Sequence, residues 1–191
     1  MEWLVAHGDE VGVDARRLAI GGDSAGGNLA AAACLLTRER GGPRIQHQAL
    51  LYPPLDATLT QPSVSSNGDG YLLSRRELQR FVSAYVPGPW TSAIRSSPPP
   101  RSDLTGLPRA LVVTAGLDPL RDEGDGYAAR LRAAGVPVTH RRYPRMVHGF
   151  TLMLPRLLGD AADSVALLTA EVRRALAGPP SARGTTAATG V

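Results

Sequence analysis

The feature that most constrains this chain is a short glycine-rich turn between an apolar run and an alanine-rich run. The run Leu18-Ala19-Ile20-Gly21 is typical of a buried strand. Residues 25–40 are rich in alanine and close with Gly41-Gly42-Pro43, which indicates a helix and its end. Between them stands G-x-S-x-G, with Ser24 at its centre and Asp23 before it. This placement predicts a tight strand-to-helix turn from which the serine projects.

The glycines of the turn have a steric reason. In so tight a turn, side chains two residues either side of Ser24 would collide, which explains Gly22 and Gly26. The N–H of Ala25 can then face a developing oxyanion. Two other interpretations stay open at this point. The segment could be a plain structural turn, or, with Gly21 and Gly27 flanking it, a loop that cradles phosphate.

Strand and helix patterns alternate along the rest of the chain. Strands are predicted at 18–21, 48–52, 110–115 and 136–143, and helices at 2–10, 25–40, 75–85, 122–134 and 161–177. We expect an α/β fold in which about four parallel strands carry helices on both faces. Pro137 favours a sheet edge for the last strand. The first helix is expected to turn Trp3 and Leu4 inward.

The 191 residues predict one domain, at 1–177. Within it, the long polar segment 56–108 holds one clear helix, announced by the capping box of Ser74 and Glu77, and a proline-rich loop over 96–100. The small, polar residues 178–191 are expected to be a disordered tail.

Composition and charge disfavour several classes of protein. The formal charge is +4, all 21 basic residues are arginine, and they are scattered without interleaved aromatics, so we expect no nucleic-acid partner. No apolar stretch is long enough for a membrane span, and no signal peptide is evident, so we expect a cytoplasmic protein. Cys34 is the single cysteine and builds neither a disulfide nor a zinc site alone. The sequence implies no metal and no cofactor.

A serine nucleophile needs a base, and the chain has four histidines. His7 falls in the first helix, His47 just before a strand, and His140 inside an edge strand. His148 alone follows the C-terminal end of a strand, where the sites of open α/β sheets collect. The alternative for His148 is a solvated loop residue.

The orienting acid has two candidates. Asp118 follows the strand ending at Ala115, and Asp56 follows the strand ending at Tyr52. Asp118 could also be a turn-forming aspartate before proline, and Asp122 is interpreted as a helix-start carboxylate. The order serine, aspartate, histidine excludes a trypsin-like protease, which needs the histidine and aspartate before the serine in an all-β frame.

Four segments together resemble the hormone-sensitive-lipase-like esterases, the bacterial family IV carboxylesterases of the α/β-hydrolase fold. GGDSAGGNLA at 21–30 is similar to the family's nucleophile region, DPLRDEG at 118–124 to its acid motif and HGF at 148–150 to its base motif. LYPPLD at 51–56 fits the next strand and turn. The resemblance extends to about residue 177.

The resemblance implies a serine carboxylesterase or lipase-like hydrolase that acts on small acyl esters through an acyl-serine intermediate. Ser24 would attack, His148 would carry the proton, and Asp118 would hold the imidazole. Residues 56–108 would form part of a cap over an acyl pocket.

The chain departs from the family at its start. The family's upstream His-Gly-Gly motif, which completes the oxyanion hole, has only His7-Gly8-Asp9 as an echo. We therefore expect the C-terminal portion of the fold with an incomplete oxyanion hole. Either the start is miscalled and the protein is a full enzyme, or the chain is a non-catalytic fragment or interaction protein. The family strand at 18–21 would then lack a neighbour, which predicts a dimer or aggregation through the exposed edge.

Overall fold

The described part of the chain contains four strands, seven α-helices and one short 3-10 helix, Gly8–Val11. The computed structural model describes residues 1–85 and 103–177. The strands are β1 (Leu18–Asp23), β2 (Ile45–Leu51), β3 (Arg109–Ala115) and β4 (Val138–Tyr143). The helices are α1 (Glu2–His7), α2 (Ala25–Glu39), α3 (Pro62–Ser66), α4 (Arg75–Tyr85), α5 (Arg121–Ala133), α6 (Phe150–Met153) and α7 (Gly159–Leu176).

The strands form one parallel sheet in the order β1-β2-β3-β4. Each strand therefore pairs with the next one along the chain, and the carboxyl ends of all four strands lie at the same edge of the sheet. This confirms the predicted α/β fold. It also confirms the edge position of β4, directly after Pro137.

Helices cover both faces of the sheet. On one face α2 and α5 pack through Ala31, Cys34 and Leu131. On the other face α7 packs through Ala161, with Phe150 beside it. Because both faces are covered, β3 and the second half of β2 are apolar with no alternation of polar residues. Leu50, Leu111, Val112 and Val113 are fully buried.

Several local predictions need correction. Trp3 is 56% exposed, Leu4 is only partly buried, and α1 buries no residue. β2 begins at Ile45, so His47 lies within the strand and is fully buried. The short helices α3 and α6 were not predicted. They have five and four residues, too few to show a helical period.

The capping box is confirmed at the start of α4. The N–H of Glu77 donates to the Ser74 hydroxyl at 3.2 Å, and the N–H of Ser74 donates to the Glu77 carboxylate at 2.8 Å. The predicted loop at 96–100 and the tail at 178–191 lie outside the described residues. In the part of the chain that is described, none of the helices combines the length and the hydrophobicity that a membrane crossing requires.

Candidate active site

Ser24 occupies the turn between β1 and α2. Its backbone has φ +49°, a left-handed conformation that costs a residue other than glycine on the order of 1–3 kcal/mol. The Ser24 N–H donates to the carbonyl of Leu51 at 2.8 Å, which ties the turn to the end of β2. The strained conformation is thus held by a hydrogen bond to the neighbouring strand.

The glycines around Ser24 have different roles. A Cβ on Gly22 would lie 2.3 Å from the backbone carbon of Gly26, and a Cβ on Gly27 would lie 2.9 Å from Pro53. A Cβ on Gly26 would meet nothing within 4 Å. The steric explanation is therefore right for Gly22 and wrong for Gly26, because Gly26 already belongs to α2 and its Cβ would point away from the turn.

Three side chains from distant parts of the sequence meet at this edge. His148 Nε2 lies 2.9 Å from Ser24 Oγ, and His148 Nδ1 lies 2.8 Å from Asp118 Oδ2. Asp118 is fully buried, and its other oxygen accepts the N–H of Leu120 at 2.9 Å. The carboxylate is thus fixed on one side by the backbone and on the other by the imidazole.

The loops that carry Asp118 and His148 are joined to each other. The N–H of Leu117 donates to the carbonyl of Met146 at 2.9 Å. Gly116 approaches so closely that a Cβ there would lie 2.0 Å from the carbonyl oxygen of Pro144. Asn67 adds a bond from its side-chain amide to the carbonyl of Asp118 at 3.1 Å. These contacts set the separation between the carboxylate and the imidazole.

The other candidates do not contact the imidazole of His148, although Asp56 lines the cavity beside Ser24. Asp56 binds its own turn, accepting the N–H of Thr58 at 3.0 Å and the amide of Gln61 at 2.9 Å. Asp122 lies in the first turn of α5, as expected.

Of the other histidines, His7 stacks on Trp3, and His140 of β4 pairs with Asp125 of α5. The described residues hold no group of three acidic, histidine or cysteine side chains arranged for a metal ion.

The N-terminus of α2 faces the same space as the serine. Ala25 is the first residue of α2, so its N–H has no acceptor within the helix. It follows Ser24 directly and lies in the lining of the same cavity. An N–H in this place can donate to negative charge that develops beside the serine oxygen.

A cavity of about 620 Å³ opens beside Ser24. Its wall is mainly apolar and includes Leu29 of α2 and Leu78, Phe81 and Val82 of α4. This volume falls within the ordinary range for small-molecule sites. The arrangement places a hydroxyl, an imidazole and an apolar space together.

Comparison with known proteins bears on this arrangement. A family model described as the alpha/beta hydrolase fold matches residues 1–152. The chain belongs to the α/β-hydrolase family. Carboxylesterase NlhH of Mycobacterium tuberculosis is 41% identical over 183 residues, which are 92% of this chain and 56% of that protein. The similarity to the hormone-sensitive-lipase-like carboxylesterases is thereby confirmed.

Other relatives and solved structures give the same result for this α/β-hydrolase. An ethyl acetate hydrolase of Pseudomonas putida is 39% identical over 155 residues, covering 79% of this chain and 48% of that protein. A thermostable esterase of Pseudomonas putida ECU1011 superposes with a TM-score of 0.86 at 38% identity, covering 93% of this chain and 57% of that one. The chain thus spans about half the length of the relatives it matches.

Two residues of this α/β-hydrolase site were missed in the sequence. Tyr52 is 1% exposed and packs its ring on His148, with centroids 4.9 Å apart. Glu123 is 5% exposed, and burial raises the pKa of its carboxyl to about 8 although the N–H groups of Leu55 and Asp56 donate to it. The sequence signals for these two residues are weak. Tyr52 directly follows β2 and precedes two prolines, and Glu123 follows Asp122 in the first turn of α5.

Proposed function

We propose that this α/β-hydrolase is a carboxylic ester hydrolase that works through an acyl-serine intermediate. The observation that carries the proposal is the pair of distances at His148, 2.9 Å to Ser24 Oγ and 2.8 Å to Asp118 Oδ2. An imidazole held between a hydroxyl and a buried carboxylate is the arrangement that activates a serine. The names of the relatives, carboxylesterase and ethyl acetate hydrolase, support the same reaction.

In the first half of the reaction, Ser24 Oγ attacks the carbonyl carbon of the ester. Its proton passes to His148 Nε2, and Asp118 accepts a hydrogen bond from Nδ1–H, which keeps the imidazole in the tautomer that can receive the proton. Negative charge develops on the former carbonyl oxygen, and the Ala25 N–H donates to it. Collapse of this intermediate expels the alcohol, which takes the proton from Nε2, and leaves the acyl group on Ser24.

In the second half, water takes the place of the alcohol. His148 Nε2 removes a proton from the water, the oxygen attacks the acyl carbon, and the carboxylic acid leaves as Ser24 Oγ regains its proton. The same three side chains therefore serve both steps, and the balance needs no other reactant. The small acyl group would lie in the apolar cavity beside Ser24, between α2 and α4.

The oxyanion hole has few hydrogen-bond donors that can be identified among the described residues. The donor identified is the Ala25 N–H, and one such donor is worth about 10²–10³ in kcat. We therefore expect ester hydrolysis by the 191-residue chain to be present but slow.

Hydrolysis of a short-chain chromogenic ester by the purified chain tests the proposal. Ser24→Ala and His148→Ala should each reduce the rate to background, because the nucleophile or its base is lost. Ser83→Ala and His7→Ala are matched controls. Ser83 is exposed, His7 is partly exposed, and neither residue lines the cavity. Activity that survives both Ser24→Ala and His148→Ala would refute these roles.

A second candidate function is binding through the open edge of the sheet. β1 has a single partner strand in the described sheet, and its Leu18, Ala19 and Ile20 bear no charge. Such an edge can accept a strand from another chain. A chain with no ester hydrolysis above background that still forms a defined complex would favour this function over the enzyme.

A further inference from the structure

We propose that Tyr52 is the positioning residue that holds the His148 imidazole at the angle needed to keep both ring nitrogens on their partners. The proposal rests on the proposed function, since it takes His148 as the base. Tyr52 touches no reacting atom in this scheme. It acts on the rate only through the orientation of the imidazole.

The first observation is the contact between the two rings. Their centroids lie 4.9 Å apart and their planes meet at 63°, an edge-to-face arrangement that aromatic rings favour. The two hydrogen bonds of His148 run from opposite ends of the ring, to Ser24 and to Asp118. They leave the ring free to tilt about the line that joins those partners. A ring packed against the imidazole restricts that tilt.

The second observation is that Tyr52 is itself held rigidly. Its backbone has φ +39°, a left-handed conformation that few residues with a side chain adopt, and its N–H donates to the carbonyl of Val113 at 2.7 Å. The preceding carbonyl, of Leu51, accepts the N–H of Ser24 at 2.8 Å. Tyr52 is therefore tied to the serine turn on one side and to β3, the strand that leads to Asp118, on the other.

The third observation is a line of aromatic rings behind Tyr52. Phe150 lies 5.9 Å from Tyr52 between ring centroids, and Tyr143 lies 5.1 Å from Phe150. All three are at most 3% exposed. Because this row is buried between the sheet and α6–α7, the ring of Tyr52 cannot move away from the imidazole.

The hydroxyl of Tyr52 does not explain the residue. It is buried and lies towards Thr151 and the backbone of Leu152, not towards Ser24, Asp118 or the imidazole nitrogens. The ring, with its contact on His148, is therefore the part that the site uses, and phenylalanine should replace it.

The experiment separates the ring from the hydroxyl and from general packing. Tyr52→Phe keeps the ring and Tyr52→Leu removes it. Tyr127→Leu removes a buried ring from the other face of the sheet, away from His148 and from the row behind Tyr52. For each variant, kcat and KM are measured, and the nitrogen-15 spectrum of the His148 imidazole is recorded. Tyr52→Met serves the same comparison if Tyr52→Leu does not fold.

We expect the loss of the Tyr52 ring to change kcat more than KM. Tyr52→Leu should lower kcat about tenfold with KM within about twofold, because a small misplacement of the base slows chemistry more than binding. Its His148 ring signals should broaden or double. Tyr52→Phe and Tyr127→Leu should keep kcat within about twofold and give one sharp set of ring signals.

Two results would overturn the proposal. One is a Tyr52→Leu protein whose His148 ring signals stay single and sharp. The other is a Tyr52→Phe protein that loses as much kcat as Tyr52→Leu, which would assign the effect to the hydroxyl. The spectrum reports on the imidazole without turnover. An inactive wild-type chain would therefore refute the proposed function while the spectrum still decides the role of Tyr52.

Discussion

His148 Nε2 lies 2.9 Å from Ser24 Oγ although 124 residues separate the two in the chain. The serine follows β1 and the histidine follows β4, at opposite edges of the sheet order. They meet because the carboxyl ends of parallel strands share one edge, and the loop after β4 returns across that edge towards the turn before α2.

Asp118→Asn should reduce ester hydrolysis by about 10⁴ in kcat, because the imidazole loses the carboxylate that holds its tautomer. Asp56→Asn is the matched control, since Asp56 binds Thr58 and Gln61 in its own turn and should change kcat little. The measurement is steady-state hydrolysis of the same chromogenic ester by both variants. The reverse pattern would transfer the role of the acid to Asp56.

Gly22→Ala and Gly26→Ala should differ although both change the same motif. The new Cβ at position 22 would lie 2.3 Å from the backbone of Gly26, so we expect a loss of about 3 kcal/mol in the free energy of unfolding. The new Cβ at position 26 meets nothing within 4 Å, and alanine favours the helix, so the change should be within about 1 kcal/mol. Urea unfolding measures both, and equal losses would contradict the geometry of the turn.

The stability of the protein should depend on Glu123 between about pH 5 and pH 8. Burial raises the pKa of this carboxyl from its ordinary 4.5 to about 8, so over this range the folded protein keeps a proton that the unfolded chain releases. The free energy of unfolding should therefore fall as the pH rises, by on the order of 1 kcal/mol per pH unit.

The variant Glu123→Gln isolates this effect, because glutamine does not titrate. His47, whose pKa burial lowers, contributes in the opposite direction, but it is present in both proteins and cancels in their difference. Urea unfolding of the two proteins at pH 5 and pH 8 is the measurement. A difference between wild type and variant that is the same at both pH values would show that Glu123 is already ionised at pH 5.

Val82→Trp should shift the proposed ester hydrolysis towards shorter acyl chains. Val82 lines the cavity from α4, and a larger side chain there takes up part of its volume of about 620 Å³. We expect kcat/KM to fall at least about tenfold more for a hexanoate ester than for an acetate ester, since each lost methylene contact is worth about 1–3 kcal/mol. Arg80→Trp on the exposed side of α4 is the control. Equal losses for both esters would place the acyl group elsewhere.

The purified chain should form a dimer or aggregate. β1 lies at the edge of the described sheet with an uncharged run, and Trp3 and Val5 nearby in the sequence are 56% and 49% exposed. Unpaired backbone groups on an apolar edge strand recruit other chains. Light scattering on freshly purified protein gives the mass. A monodisperse monomer of 20.1 kDa with a cooperative melt would contradict the prediction.

Much of the local structure follows from the sequence alone. The turn at Ser24, the capping box of Ser74 and Glu77 and the four strands are all present, because each depends on residues close together in the chain. Apolar runs bounded by glycine and proline, and a serine three residues before a glutamate, act through backbone geometry within one or two turns. The order of the serine, aspartate and histidine was readable for the same reason, since each follows a predicted strand.

Only the tertiary structure decided which groups meet. The sequence offered both Asp118 and Asp56 beside strand ends, and the joined loops at Gly116 and Pro144 bring Asp118 to the imidazole. The sequence likewise did not predict the exposure of Trp3, the burial of Glu123 or the ring contact of Tyr52. Burial and contact depend on segments 30 to more than 100 residues apart. A local pattern of residue types therefore does not show which distant segments will contact each other.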